Sequence, residues 1–210
     1  FDFSPLYDMP KLRKLICCTA YGPKEDRISC VDYSRFSTLE SLVISGPKGH
    51  DNVASVNGLR GLVFENNQPA SKTLVGAFQG HDLEELSITA STITTLNGLE
   101  QATKVQALEL FYNRRLEDIS ALASVKDTLL KLDIENCGKV KDFSVLSDLH
   151  HMEDLRLVGN NLLPDLSFVR NMPNLKSFVF MMNATDGDLS MCLDIPYVSI
   201  KNRKHYSHKD

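Results

Sequence analysis

No run in this 210-residue chain approaches the roughly 20 consecutive apolar residues that a membrane span needs. Tryptophan is missing altogether, no C-x-x-C pair occurs, and there is no surplus of positive charge: 23 basic residues stand against 27 acidic ones, for a formal net charge of −4. That balance excludes a strongly basic nucleic-acid binder, and a hydrophobic content of 42% excludes a disordered tail. The five cysteines, Cys17, Cys18, Cys30, Cys137 and Cys192, are odd in number and include an adjacent pair. Secreted disulfide frameworks are spaced otherwise, so the cysteines point to a reducing compartment, and the cytoplasm is the expected location.

The usual signatures of chemistry are equally scarce. The chain has no P-loop, dinucleotide fingerprint, G-x-S-x-G or H-E-x-x-H. His205 and His208 in the tail "NRKHYSHKD" are three apart with Asp210 behind them, a spacing that could offer two metal ligands, but no third partner accompanies them. "NATDGDL", residues 183–189, lacks the ligand run and closing Glu of a calcium loop and reads as a glycine-bearing turn. His150 and His151 sit in "SDLHHMEDL", just before a strand, and read as surface residues. Cys17 occupies a core position with no base near it, and Cys137 falls at a turn that suits a small residue. The expectation is a protein that is not an enzyme and holds no cofactor or metal.

What the chain does have is repetition. The unit L-x-x-L-x-L recurs as "LRKLIC" from Leu12, "LESLVI" from Leu39, "LRGLVF" from Leu59, "LEELSI" from Leu83, "VQALEL" from Val105, "LLKLDI" from Leu129, "MEDLRL" from Met152 and "LKSFVF" from Leu175. From Leu59 onward the period is about 20–24 residues. The interval from Leu12 to Leu39 is longer and implies an insertion around "YGPKEDRIS". The last four residues of each unit alternate apolar and variable, as a strand buried on one side does, which turns Leu86/Ile88, Leu108/Leu110, Leu132/Ile134 and Leu155/Leu157 inward. A second half-unit, "TLNGLEQA", "DISALASV", "DFSVLSDL" or "DLSFVRNM", supplies Leu96/Leu99, Ile119/Leu122, Phe143/Leu146 and Leu166/Val169. One coil cannot bury such a face alone, so successive coils must stack.

The opening residues repeat the back half-unit: Asp2 precedes Leu12 by the same ten positions that separate Asp142 from Met152 and Asp165 from Leu175. The chain is therefore expected to begin in mid-repeat, with at least half a coil upstream. Asn113 and Asn160 lie three residues past the last core position of their strands, where a buried amide can bond turning backbone; Ser91 and Cys137 take that place in neighbouring coils. "LDIPYVSI", residues 193–200, offers a closing strand through Tyr197, Val198 and Ile200, with residues 193–210 as strand and tail over the open end.

This pattern resembles the leucine-rich repeat family. "L-x-D-I-S-x-L" at Leu116–Leu122 is similar to the short class, of about 22 residues, found in bacterial internalins and in a regulatory subunit of protein phosphatase 1. The resemblance implies an α/β, right-handed solenoid of about eight coils in a single domain over residues 1–210, of bacterial origin, with a parallel concave β-sheet and short helical or irregular convex segments.

It also implies that the variable strand positions line the concave face, where partners of this family bind. In the middle coils these are Glu84, Glu85, Ser87 and Thr89; Gln106, Ala107, Glu109, Phe111 and Tyr112; and Leu130, Lys131, Asp133, Glu135 and Asn136. Glu153, Asp154, Arg156 and Val158 follow, then Lys176, Ser177, Val179, Met181 and Met182. From Glu84 to Glu135 this surface carries five acids and one base. Phe111 and Tyr112 stand at strand-end positions with little core to fill. Aromatics ringed by charge mark a protein-binding patch, and the acidity favours a partner with a basic patch while repelling nucleic acid.

The expected site is therefore Glu85, Glu109, Phe111, Tyr112, Asp133, Glu135 and Arg156. Val179, Met181 and Met182 are expected to pack beneath the tail instead. The expected function is a non-catalytic protein–protein interaction module without membrane insertion. An immunity-type protein that neutralises a toxin is one form such a module could take; the recognition portion of a longer enzyme or effector and a cell-surface adhesin are the alternatives.

Overall fold

The computed structural model describes residues 4–18, 31–47, 53–56, 58–78 and 82–208. After a single helical turn, α1 (Ser4–Tyr7), the chain lays down strands β1 (Lys14–Cys18), β2 (Ser41–Ser45), β3 (Gly61–Glu65), β4 (Glu85–Thr89), β5 (Ala107–Phe111), β6 (Lys131–Glu135) and β7 (Asp154–Val158). Then come β8 (Leu162–Leu163), β9 (Ser177–Phe180), β10 (Asn183–Ala184) and β11 (Tyr197–Ile200). Nine of these form one parallel sheet in the order β1-β2-β3-β4-β5-β6-β7-β9-β11, while β8 and β10 pair separately. Each of the eight L-x-x-L-x-L units supplies one strand of the large sheet, and the ninth is the closing strand, with Tyr197–Ile200 paired to Ser177–Phe180.

The register explains the leucines. Leu62, Leu86, Leu108, Leu132, Leu155 and Phe178 lie side by side across neighbouring strands, as do Phe64, Ile88, Leu110, Ile134, Leu157 and Phe180, and all are at most 2% exposed. Burying each such side chain is worth roughly 1.5–3 kcal/mol, and it is the adjacent coil that does the burying.

The back halves form short 3₁₀ turns, among them Ser120–Val125, Ser144–Asp148 and Ser167–Asn171, which carry Leu122, Leu146 and Val169 into the core. The recurrent D-x-S opens them. The carboxylates of Asp118, Asp142, Asp165 and Asp188 accept the backbone N–H of Ser120, Ser144, Ser167 and Ser190 at 2.8, 2.8, 2.7 and 2.9 Å. These bonds hold the Asp142, Asp165 and Asp188 carboxyls below the usual carboxylate range.

Between strand and convex turn runs a column of buried small or polar residues: Asn67, Ser91, Asn113, Cys137 and Asn161. Asn113 accepts from Ser91 N–H at 2.9 Å and donates to the Ile88 carbonyl at 2.7 Å; Asn161 donates to the Cys137 and Val140 carbonyls at 3.1 and 2.8 Å. Asn161, not Asn160, holds this place, and Asn160 is exposed. Gly159, at φ 152°, adds a residue to that turn and displaces the amide by one position. Cys137 is fully buried, its thiol donates to the Leu110 carbonyl at 3.4 Å, and burial pushes that thiol up to about 11, so it stays protonated in this turn.

The tail folds back over the last coil. Tyr206 is buried and its hydroxyl accepts the Ala184 N–H at 3.1 Å, while Arg203 donates to the Met182 carbonyl at 3.0 Å. Met182 is itself in the core, whereas Val179 and Met181 stay half-exposed. Among the described residues no helix is long and apolar enough to cross a membrane. The insertion around "YGPKEDRIS" and Asp2, on which the mid-repeat expectation turns, lie outside the described residues.

Candidate functional site

Because strands stack in register, the variable positions of the L-x-L alternation form straight rows across the exposed face of the sheet. One row runs Glu85, Ala107, Lys131, Asp154; the next Ser87, Glu109, Asp133, Arg156; the third Thr89, Phe111, Glu135, Val158. All seven expected site residues lie on this face or at its lip. Glu85, Glu109, Tyr112 and Arg156 are exposed, and Phe111, Asp133 and Glu135 are half-buried.

The acids are not equivalent. Glu84 is paired with Arg60 at 3.3 Å, and Asp133 with the Arg156 Nε at 3.3 Å. Glu85, Glu109 and Glu135 form no ion pair among the described residues. Glu135 is instead held by neutral donors, the Tyr112 hydroxyl at 3.0 Å and the Asn136 amide at 3.2 Å, which fix its direction without cancelling its charge. Like Arg60 and Glu84, the residues that precede other strands pair between adjacent coils: Arg13–Glu40 at 3.0 Å and Lys176–Glu153 at 2.7 Å. Sequence reasoning did not find these pairs, although equivalent positions one period apart become neighbours and so announce them.

Asp133 is the least comfortable of the group. Its Oδ1 is buried without a hydrogen-bond partner. Burial, reinforced by Glu135, Glu109 and Asp154, pushes its carboxyl up to about 6 despite Arg156 pulling the other way. An acid with a folded pKa above its unfolded 3.8 imposes no penalty when both states are protonated. The penalty grows as the pH rises through this interval and is complete above about 6. Arg156 offsets part of it only while Asp133 is ionised. Arg156→Gln is therefore expected to lower the unfolding free energy by about 1 kcal/mol at pH 7.5, a value reduced for the half-exposed guanidinium, and by much less at pH 5. Urea unfolding at both pH values checks this; an equal loss at both would assign Arg156 another role.

Tyr112 carries a second mark. It is 46% exposed and adopts φ 55°, the left-handed region that bulky residues avoid. The same coil position holds Asn66 at 57°, Ala90 at 53° and Asn136 at 54°, and each of these residues, like Tyr112, donates its N–H to the last carbonyl of the following strand. Four consecutive coils, those of β3 to β6, take this turn. Asparagine suits it; tyrosine does not.

The remaining candidates for chemistry do not converge. His205 Nε2 is bonded to the Ala184 carbonyl at 2.9 Å, His208 Nδ1 sits 2.8 Å from Ser207 Oγ, and His150 Nδ1 faces the Asn171 carbonyl at 3.0 Å. Asp186 and Asp188 are engaged in capping their own turn around Gly187. Among the described residues no three His, Cys, Asp or Glu side chains are placed to hold a metal ion.

Together the sheet, the 3₁₀ turns and the inner polar column define a leucine-rich-repeat solenoid. Solved structures share it. An internalin (inlF) from Listeria monocytogenes aligns with a TM-score of 0.58 at 15% identity, over 97% of this chain and 67% of that one. Internalin C2 of the same species gives 0.62 at 21% identity, over 80% and 74%. A leucine-rich-repeat protein of Leptospira interrogans gives 0.59 at 16% identity, over 94% and 57%. At these identities the likeness is one of fold. No protein-family model matches the chain, and no curated protein matches it in sequence.

Proposed function

We propose that this protein is a non-catalytic interaction module whose concave sheet receives a protein partner carrying a basic patch. The observation that carries the reading is the meeting, on two adjacent strands, of acids without counter-ions and aromatics at the surface: Glu109 and Glu135 beside Phe111 and Tyr112. Phe111 and Tyr112 anchor the contact; Glu85, Glu109, Asp133 and Glu135 steer it, and Arg156 keeps Asp133 ionised. Nucleic acid does not fit a face of this sign, because phosphate would meet carboxylate. The buried, unbridged thiols Cys137 and Cys192 support work in a reducing compartment, the cytoplasm.

Affinity capture from the native cells, run with the wild-type chain and with Phe111→Ala/Tyr112→Ala, tests the reading. Recovery of the specific partner should fall at least tenfold in the double variant, the scale of two anchor residues, and should fall further as salt is raised. Equal recovery by both proteins would place the contact elsewhere.

A further inference from the structure

The middle row of the concave face changes character along the sheet. From β1 it runs Ile16, Val43, Val63, Ser87, Glu109, Asp133 and Arg156. Its first three members are β-branched, in register on adjacent strands, and turned away from the core: Ile16 is 61% exposed, and Val43 and Val63 are half-buried. Their neighbours give them relief. Ser41 and Gly61 flank Val43 and Val63 on one side, and Ser45 flanks Val43 on the other. The result is a low apolar ridge that leads through neutral Ser87 into the acids of β5 and β6.

Resting on the reading of the concave face given above, we infer that the partner presents a cationic amphipathic helix laid across the strands, its apolar end on Ile16, Val43 and Val63 and its basic end on Glu109 and Asp133. The ridge alone would accept any apolar surface; the acids next to it select the occupant by charge. The spacing selects the helix. Strands about 4.8 Å apart match a residue every third position at about 1.5 Å rise, so i, i+3 and i+7 fall on successive strands. An extended segment advancing about 3.3 Å per residue keeps no such step. Five strand intervals from β1 to β6 span about 24 Å, or roughly 16 helical residues.

The test is a display selection of random 20-residue peptides on the full chain at low salt. Enriched peptides are then titrated by fluorescence anisotropy against wild type, Val43→Ser/Val63→Ser and Glu109→Lys, and followed by circular dichroism. The expected winners carry apolar residues at three- and four-residue spacing in one half and Lys or Arg in the other. They gain helix on binding, and each variant weakens them at least tenfold. Val43 and Val63 lie on the open face, so the serine variant should melt like wild type; a matched melting curve ensures that lost affinity is not lost fold. If winners lose affinity to Glu109→Lys but bind the serine variant as they bind wild type, the helix and ridge are overturned while the acidic face stands. If they ignore Glu109→Lys, or if none enrich, both fall.

Discussion

Asn113→Ala should lower the unfolding free energy by about 3–4 kcal/mol, a larger cost than any other polar substitution considered for this protein. Asn113 is fully buried and ties its coil to the one before: its amide oxygen takes the Ser91 N–H, and its amide nitrogen serves the Ile88 carbonyl. Alanine leaves one donor and one acceptor in the core, away from water, and each unmet group costs about 1–3 kcal/mol. Asn113→Asp should be nearly as costly at neutral pH, since it keeps the acceptor but turns a buried anion toward the Ile88 carbonyl. Asn160→Ala is the control. That side chain is exposed, and its loss should stay within about 0.5 kcal/mol. Urea unfolding of the three variants decides the matter, and comparable losses at Asn113 and Asn160 would mean that the column does not tie the coils together.

The contrast between those two asparagines shows where sequence stops informing. All eight repeat strands were legible, because an alternation such as Leu108-x-Leu110 can be buried only by stacking like units. The closing strand at Tyr197–Ile200 was legible on the same grounds. The placement of the site residues on one face followed from the same alternation. Asn161 was not legible, since one added glycine shifts the turn, and only the backbone path reveals the shift. Met182 likewise leaves the concave face for the core, where the turn after β9 takes another route. Two further features could have been read by aligning coils on one another. Ile16, Val43 and Val63 share the variable position of "LIC", "LVI" and "LVF". Asn66, Ala90, Tyr112, Asn136 and the glycines Gly46 and Gly159 share the turn position, a mixture that already signals a left-handed backbone with one poor occupant.

That poor occupant supports the second large effect. Tyr112→Asn should weaken capture of the partner by about 10- to 100-fold while leaving the fold as stable as before, or more stable by about 0.5–1 kcal/mol. Asparagine tolerates φ near 55° and already fills this place at Asn66 and Asn136, so the backbone relaxes. What the fold loses is small: an exposed hydrogen bond to Glu135 at 3.0 Å and the packing of a ring that is 46% open to water. What the site loses is its most prominent aromatic, together with a donor that aims the Glu135 carboxylate. A residue that costs stability where a better one fills the same place in the next coil is explained if it serves something outside the fold. Thermal unfolding and capture titration of the same preparation separate the two quantities. If stability falls along with binding, Tyr112 belongs to the scaffold; if stability holds and binding is unchanged, the partner sits elsewhere on the sheet.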